Sequence, residues 1–336
     1  QKKRVSLDAF KGYMQRMPSF SLKRIPVLWG RTQNGGTNKK QLMIRGGAVA
    51  VGIGICYMLL TWFTLPDITD PVQLLASQST VITDRNGVEL YRLFNEEDRT
   101  FIPGSSIPQH MKHAVVAIED KRYYERGCVD MRAVARVVIK LGRAGGGSTI
   151  TRQLARNALN LQQDNRYQRK VKEFILGCQL ESQYEKEELL DLYLNWIPFG
   201  QNAYGVEQAA KRYFNTSAEN LSIAQATVLA SLPQRPSYFS PYGRHVYTEV
   251  SESVHDAVID GTITKTSEIP EEDITIGLLG AYAGTGSRVL YVGGRTDQVL
   301  QNMKENEFIT DAERLTAMEQ LEVMEFTSAR EDIRAP

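Results

Sequence analysis

The sequence predicts a mainly α-helical domain that follows a single membrane-spanning helix and a small β-hairpin. Residues 46–65 carry no charge, Asn86-Gly87 separates two alternating β-rich runs, and apolar residues recur at helical spacing from 108 to 232. With 42% hydrophobic and 24% charged residues in 336, the composition excludes wholesale disorder and fibrous classes. The three cysteines are too few for a disulfide framework, and their odd number leaves at least one unpaired.

The predicted membrane helix lies between a basic leader and an acidic remainder. Residues 1–45 contain eleven Lys or Arg against one Asp, which leaves the rest of the chain with a net charge of −9. About 20 apolar residues cross a bilayer, and basic flanks stay in the cytoplasm. We therefore expect a cytoplasmic tail over 1–45, a transmembrane helix over 46–65 and an external domain. The long leader and the missing cleavage site disfavour a signal peptide, and the length disfavours a buried core helix.

The external part is predicted to have three segments, the second of which contains an insertion. Residues 66–107 form a stalk that contains the hairpin, since Asn-Gly between β-rich runs is a strong hairpin signal. The main domain covers 108–310 and includes a buried helix over 221–232 that stops at a proline. Within it, the acidic and less regular segment 246–293 is interpreted as an insertion or accessory lobe. Residues 311–336 form a C-terminal helix and a linker.

Several familiar catalytic patterns are incomplete. Gly142 to Gly147 resemble the glycines of a phosphate-binding P-loop, but Ser148 occupies the position of its essential Lys. His110 and His113 lack further ligands of a metal site, and the chain contains no Gly-x-Ser-x-Gly elbow of a serine hydrolase. The candidate chemistry therefore falls on carboxylates.

Glu119 is the first candidate. The helix that begins near Pro108 has an apolar stripe, formed by Met111, Ala114, Val115 and Ile118. Glu119 falls at the edge of this stripe, whereas Asp120 points away from it. A carboxylate at such an edge suits general acid–base chemistry, and an ordinary boundary residue gives the same pattern.

Glu173 is the second candidate. The core stripe of its helix is predicted to consist of Val171, Phe174, Ile175 and Cys178. This places Arg169, Lys170 and Glu173 together on the opposite side. Two cations one turn from a carboxylate can bind a pyrophosphate, and a solvated, salt-bridged helix face is the alternative.

The third candidate is the glycine-rich segment 145–157, which leads into a helix. Either Ser148 or Thr149 is expected to cap this helix. Helix N-termini attract anions, and Arg152 and Arg156 add positive charge. A plain helix start after a loop explains the same residues.

Taken in order, five segments resemble the peptidoglycan glycosyltransferase family (glycosyltransferase family 51), as found in the N-terminal part of class A penicillin-binding proteins. These segments are residues 117–125, 146–157, 169–173, 186–195 with Gly200, and, more weakly, 295–303. The resemblance implies a lysozyme-like fold with a cleft between two lobes, one of which dips into the membrane. It also implies polymerisation of lipid II into β-1,4-linked glycan strands, with inversion at the sugar and release of undecaprenyl pyrophosphate.

The resemblance also implies roles for individual residues. Glu119 is the expected base that takes the proton of the acceptor's 4-hydroxyl. Glu173 is expected to assist the leaving pyrophosphate, directly or through a Mg²⁺ or Mn²⁺ ion bound with it, next to Arg169 and Lys170. The expected substrate-binding residues are Ser148, Thr149, Gln153, Arg156, Arg169, Lys170 and Glu188. Tyr193 and Asn195 are expected to be structural supports.

The implied partners are lipid II, the growing lipid-linked glycan strand, the lipid bilayer and other cell-wall synthesis proteins, with no nucleic acid and no organic cofactor. The implied location is a bacterial cytoplasmic membrane, with the N-terminus inside and the catalytic domain outside. The chain lacks the Ser-x-x-Lys signature of the transpeptidase domain, so no β-lactam-sensitive activity is expected. Residues 326–336 resemble the linker that precedes that domain, which suggests a piece of a bifunctional protein.

Five positions depart from the family pattern. Tyr123, Arg126 and Cys128 stand where the first motif usually has Phe, His and Gly, Arg152 replaces a Gln, and Asp191 replaces a Glu. Since both catalytic acids are retained, activity is still expected.

Two other functions stay open. One is peptidoglycan cleavage by a lysozyme-like lytic transglycosylase, which needs no pyrophosphate site and so leaves Arg169 and Lys170 unexplained. The other is a non-catalytic scaffold that binds lipid-linked glycan, suggested by Arg126 and Cys128 beside Glu119.

Overall fold

The computed structural model describes residues 39–65, 80–86, 89–93, 98–129 and 149–327. The chain divides into two compact units, Gln1–Cys56 and Tyr57–Pro336, with the boundary inside helix α1 (Lys39–Thr64). Within α1, Arg45–Thr64 is long and apolar enough to cross a membrane, with a mean hydropathy of 1.7. The predicted helix over 46–65 is therefore confirmed as a candidate membrane span, and most of the basic tail lies outside the described residues.

The predicted hairpin is present. Strands β1 (Thr80–Thr83) and β2 (Glu89–Leu93) pair antiparallel, with Thr80 opposite Leu93. Before the turn, Asp84 Oδ1 accepts a hydrogen bond of 2.8 Å from the backbone N–H of Asn86. This local bond is the usual way in which Asp initiates a turn.

The rest of the described chain is mostly helical. Its helices of more than one turn are α2 (Gln109–Glu119), α3 (Ile150–Ala158), α4 (Arg166–Gln183), α5 (Lys186–Trp196), α6 (Val206–Phe214), α7 (Ile223–Ser231), α8 (Glu252–Asp260), α9 (Arg295–Glu305) and α10 (Asp311–Glu322). Its strands are β3 (Asp98–Arg99), β4 (Pro198–Gly200), β5 (Ala203–Tyr204), β6 (Glu249–Val250), β7 (Ile274–Thr275), β8 (Ala281–Thr285) and β9 (Arg288–Val292). β5 lies between a parallel β3 and an antiparallel β4, and β6–β7 and β8–β9 are antiparallel pairs.

Polar caps explain where the site helices begin. Of the two expected caps, Thr149 accepts a hydrogen bond from the backbone N–H of Arg152 and so starts α3. Asn165 caps α4 through the backbone N–H of Gln168. Each cap satisfies a backbone donor that the first helical turn leaves without a partner.

A large hydrophobic core joins α2, α3, α5, α7 and α9. The apolar stripe predicted on α2 is confirmed, since Met111, Ala114 and Val115 are fully buried and Ile118 is half-buried. The helix predicted over 221–232 is also confirmed as a buried one, α7, which begins after a capping box formed by Ser222 and Gln225. These helices form the frame on which the site residues lie.

The stripe predicted on α4 is wrong in part. Ile175 is buried as expected, but Val171, Phe174 and Cys178 are only half-buried. The rest of the buried face consists of Glu173, Leu176, Gly177 and Leu180. Gly177 explains the difference: a Cβ there would lie 3.1 Å from Arg152 Cγ, so α4 packs closely on α3 along the glycine face. The charged group around Glu173 therefore does not lie on a fully solvated face.

Residues 246–293, predicted as an insertion or accessory lobe, have a small core of their own. Val254, Val258, Ile269, Ala283 and Val292 form this second cluster. The segment is more regular than expected, with α8 and two strand pairs. The turn between β8 and β9 uses a glycine with a φ of +65°, a conformation that glycine adopts without a steric penalty.

Candidate active site

Glu119, at the last position of α2, is held by a glutamine. Gln153 on α3 donates a hydrogen bond of 2.7 Å from Nε2 to Glu119 Oε2. The other end of the same amide, Gln153 Oε1, accepts a bond of 3.2 Å from the hydroxyl of Tyr193 on α5. Because both ends of the amide are occupied, Gln153 has one orientation and presents a donor to Glu119.

Tyr193 stays a hydrogen-bond donor at any pH relevant to the protein. Its side chain is completely buried. Burial raises the pKa of its hydroxyl well above the usual value, and the nearby carboxylates of Glu119 and Asp120 raise it further, against the opposing charge of Arg156. Tyr193, expected to be a structural support, holds Gln153 in place, and Gln153 in turn binds Glu119.

Arg295, at the start of α9, brings a positive charge near Glu119. Burial lowers the pKa of its guanidinium, and the charge of Glu119 opposes this shift. Arg295 lies 5.9 Å from the centre of the Phe239 ring and donates a bond of 2.9 Å to Gln298. Arg295 belongs to the weak fifth segment of the resemblance, which gave it no role. The only sequence feature that could have drawn attention to it is its position as a cation at the start of a helix, directly after two glycines.

Glu173 is buried, while its two cations extend outward. Its side chain is 1% exposed and lies 2.8 Å from Lys170 Nζ and 3.7 Å from Arg169 Nε. The Lys170 side chain is 51% exposed and that of Arg169 is 29% exposed. The arrangement places two cations between an interior carboxylate and any anion that approaches from outside.

Helix α3 lies between the two carboxylates. Gln153 faces Glu119, and Arg152 faces α4, with its guanidinium 5.0 Å from the centre of the Phe174 ring. Burial lowers the pKa of Arg152 and nearby Arg126 adds to this, whereas the carboxylates around it, including Glu173, oppose it. The structure thus brings Gln153 to Glu119 and connects α3 with the helix of Glu173.

The other predicted substrate-binding residues have varied surroundings. Ser148 lies outside the described residues. The Thr149 hydroxyl caps α3, and Arg156, half-buried in the last turn of α3, lies close enough to Tyr193 to oppose its pKa shift. Glu188 is exposed and accepts a bond of 3.0 Å from the backbone N–H of Glu185, which gives it a capping role on α5.

Asn195, expected as a support, is fully buried and ties α5 to the chain before α2. Its side-chain oxygen accepts from the backbone N–H of Ile102 at 2.9 Å, and its amide donates to the Ile102 carbonyl at 3.1 Å. These two bonds satisfy the backbone N–H and carbonyl of Ile102, which lies in a loop outside any strand.

Arg126, one of the positions noted as unusual in the sequence, lies in a buried ionic network. Arg126 donates from Nε to Asp120 at 3.0 Å and from Nη1 to Glu181 on α4 at 2.9 Å. Asp120, predicted to point away from the apolar stripe, is the residue after the last turn of α2, and its side chain is only 9% exposed. Glu181 also accepts from Thr151 at 2.8 Å and pairs with Lys186 at 2.9 Å.

A disulfide lies beside this network. Cys128 and Cys178 are bonded, with their Cα atoms 4.9 Å apart, and Cys56 on α1 is the exposed free thiol. The sequence did not reveal this pair, because the two cysteines are 50 residues apart and no pattern connects them.

These features define a mainly helical domain with two carboxylates in opposite surroundings, one bound by a neutral amide and one by two cations. A family model described as "Transglycosylase" matches residues 86–261, just over half of the chain. The chain therefore belongs to the transglycosylase family. The mainly α-helical fold, the apolar N-terminal helix and the hairpin agree with what this family predicts.

Known relatives carry the same region. Penicillin-binding protein 1F of Bacillus subtilis is 34% identical over 220 residues, which cover 63% of this chain and 30% of the relative. Penicillin-binding protein 2a of Streptococcus pneumoniae is 32% identical over 259 residues, covering 75% and 34%. The chain thus spans about a third of the length of these relatives. The crystal structure of penicillin-binding protein 1A from Haemophilus influenzae covers 75% of this chain and 22% of its own, at 17% identity and a TM-score of 0.35.

Proposed function

We propose that the chain is a peptidoglycan glycosyltransferase that polymerises lipid II into β-1,4-linked glycan strands and releases undecaprenyl pyrophosphate. The observation that carries this proposal is the contrast between the two carboxylates. Glu119 is held by Gln153 at 2.7 Å, and Glu173 is buried behind Lys170 and Arg169. Transfer with an anionic leaving group needs a base on one side and positive charge on the other.

Glu119 is the proposed general base. It removes the proton of the acceptor's 4-hydroxyl while that oxygen attacks C1 of the donor sugar, and the configuration inverts. Gln153 donates to Oε2 and leaves Oε1 to face the incoming hydroxyl. The hydrogen bond from Gln153 keeps the carboxylate in place without neutralising its charge.

Lys170 and Arg169 are proposed to stabilise the leaving pyrophosphate. Their charges face outward from Glu173, and hydrogen bonds between charged groups are roughly twice as strong as neutral ones. The buried Glu173 carboxylate holds the side chains of Lys170 and Arg169 in position. Arg156 and Thr149, at the two ends of α3, are proposed to line the donor site with Ser148.

A Mg²⁺ or Mn²⁺ ion fits this site only together with the substrate. Glu173 supplies a single carboxylate with two cations beside it, and the described residues include no cluster of three or more acidic, His or Cys ligands. Magnesium is commonly bound by one or two carboxylates plus substrate phosphates. We therefore propose that the pyrophosphate, rather than the protein, supplies most ligands of any divalent ion.

We also propose that α1 anchors the chain in a bacterial cytoplasmic membrane with the catalytic domain outside. Arg45–Thr64 is the candidate span, and the basic residues precede it. The Cys128–Cys178 disulfide supports this orientation, because disulfides persist in oxidising compartments and are rare in the cytosol. Lipid II, the growing strand and other cell-wall synthesis proteins are the proposed partners.

The test is polymerisation of labelled lipid II by the detergent-solubilised chain, with moenomycin as inhibitor control. We expect Glu119→Gln to lower the rate about 10²- to 10⁴-fold, the range of general base catalysis. Lys170→Gln should lower it at least about tenfold. Lys172→Gln is the matched control, since Lys172 lies on the same helix as Lys170 but pairs with Asp164, before the start of that helix, at 2.9 Å.

Other outcomes favour the other functions. Unchanged lipid II consumption by Glu119→Gln would remove the proposed base and favour a non-catalytic scaffold. Release of soluble muropeptides from purified sacculi would favour a lytic enzyme, for which loss of Lys170 should matter little.

A further inference from the structure

We propose that Arg126 and the Cys128–Cys178 disulfide position Glu119, by clamping the loop that follows α2 onto α4, the helix of Glu173. We call the group Asp120, Arg126, Cys128, Cys178 and Glu181 the loop clamp. The inference rests on the proposed function, since it assigns the clamp a purpose in the same reaction.

The covalent part of the clamp is the disulfide. Cys128 follows Glu119 by nine residues, and its Cα lies 4.9 Å from that of Cys178. Cys178 follows Glu173 on α4, at about 7.5 Å along the axis for a rise of 1.5 Å per residue. The bond therefore connects the chain just after one proposed catalytic carboxylate with the helix that carries the other.

The ionic part has its centre at Arg126. The guanidinium binds Asp120, the neighbour of Glu119, at 3.0 Å and Glu181 at 2.9 Å. Glu181 is three residues beyond Cys178, so both attachments use one face of α4. With its side chain only 4% exposed, Arg126 is a buried cation whose removal would take one ion pair away from each of two buried carboxylates.

Helix α3 transmits the clamp to Glu119. Its first backbone N–H, at Ile150, donates to Asp120 at 3.4 Å, and Thr151 donates to Glu181 at 2.8 Å. One turn further, Gln153 donates to Glu119 at 2.7 Å. A shift of the loop against α4 therefore changes the position of Glu119 relative to the residue that orients it.

Arg152 on α3 also contacts this clamp. In the structure, Arg152 donates from Nη2 to the Cys128 carbonyl at 3.3 Å and lies across Gly177 of α4. Arg152 thus adds a contact of α3 both to the loop, beside the disulfide, and to α4.

The first test is reduction of the folded full chain in detergent. Dithiothreitol reduces the disulfide to two thiols and is itself oxidised to its cyclic disulfide, which peptide mass confirms. Misplacing a reacting group by about 1 Å costs about 10²-fold in rate. We expect kcat for lipid II polymerisation to fall at least about tenfold with KM changed less than about twofold, since the clamp residues act through Glu119.

Matched variants identify the bond. Cys56→Ser should respond to dithiothreitol as the unmodified chain does. Cys128→Ser/Cys178→Ser should have the lowered kcat from the start and no further response. Arg126→Lys should retain more kcat than Arg126→Gln, because it keeps the charge, and circular dichroism should show all of them folded. An unchanged kcat after reduction, or an effect on KM alone, would overturn the proposal.

Hydrogen exchange separates this proposal from the proposed function. In the same sample, the backbone amides of residues 120–127 should exchange at least about tenfold faster after reduction, because the loop loses its attachment to α4. Failure of the oxidised chain to make glycan would contradict the proposed function. The exchange measurement would still decide the clamp, since unchanged exchange overturns it and faster exchange supports it.

Discussion

At the residue scale, the proposed chemistry depends on how two glutamates are held. Glu119 receives one hydrogen bond from a neutral amide, whose orientation is set by the buried Tyr193 hydroxyl. Glu173 is balanced by two cations whose side chains are partly exposed. Under the proposed function, the first arrangement holds the base, and the second collects positive charge beside the leaving anion.

Gln153 offers a direct test of the first arrangement. We expect Gln153→Ala to lower kcat about tenfold, since a hydrogen bond to a charged group contributes about 1.5–3 kcal/mol. Tyr193→Phe should have a smaller effect, because Gln153 keeps its bond to Glu119. Steady-state polymerisation kinetics would measure both. Gln162→Ala is the control, since Gln162 is exposed and bonds only Asn157 among the contacts described; a loss equal to that of Gln153→Ala would contradict the assignment.

Glu181 predicts a pH dependence of stability. Burial alone would raise its pKa, but hydrogen bonds from Lys186, Thr151 and Arg126 outweigh burial and hold the pKa below its usual value. A carboxylate with a lowered pKa stabilises the fold above its unfolded pKa, and this contribution is lost as the pH falls through the folded value. The difference in Tm between the unmodified chain and Glu181→Gln should therefore be largest near pH 7 and shrink below about pH 4. A difference that does not depend on pH would contradict this account.

At the element scale, α3 organises the site. One face of this helix binds Glu119 through Gln153, and another packs on α4 at Gly177. Its N-terminus, capped by Thr149, also binds the neighbour of Glu119. The distance between α3 and α4 therefore affects the position of the proposed base, Glu119, relative to Glu173 on α4.

Substitution of Gly177 tests this packing. An added Cβ would lie 3.1 Å from Arg152 Cγ, and the two γ-carbons of valine need more space than the contact offers. We expect Gly177→Val to lower the free energy of unfolding by about 1–3 kcal/mol and to lower polymerisation with it. Gly177→Ala is the graded control, since the gain of about 1 kcal/mol in helix propensity offsets its smaller clash. Thermal unfolding would measure both variants. If Gly177→Val were as stable as the unmodified chain, the close packing of α3 on α4 would be contradicted.

At the scale of the whole molecule, the chain combines a helical domain, an acidic lobe and an apolar helix. The lobe has its own core and joins the main domain where Thr296 donates to the Leu278 carbonyl at 3.0 Å and Tyr282 donates to Glu322 at 2.8 Å. The apolar helix carries an exposed series of large hydrophobic residues, including Ile53, Leu60 and Phe63. Apolar surface of this length is typical of a segment that lies in lipid.

Removal of residues 1–65 tests the anchor. The full chain should float with lipid vesicles in high salt, because burial of a span of about 20 apolar residues does not depend on charge. The truncated chain should lose most of this flotation in high salt and keep its thermal unfolding transition. Equal flotation of both chains would show that another part of the protein holds it to the bilayer.

Much of this architecture could be predicted because it depends on the local sequence of short segments. The uncharged run over 46–65, the Asn-Gly turn and the stripe on α2 depend on neighbours within a few residues, and each is present in the structure. The order of the five segments was sufficient for the family. Arg126 and Cys128 could be recognised only as departures, without a hint of what they contact.

The tertiary structure alone decided which sides of the helices meet. Gly177 lets α3 pack closely on α4, the helix of the buried Glu173, an effect that helical periodicity within α4 does not contain. The Cys128–Cys178 bond joins residues 50 apart in the chain. Sequence by itself determined the apolar helix, the hairpin, the stripe on α2 and the candidate carboxylates, since periodicity and motif order are local. The charge surroundings of Glu119 and Glu173 depend on contacts between distant segments, and only packing specifies those contacts.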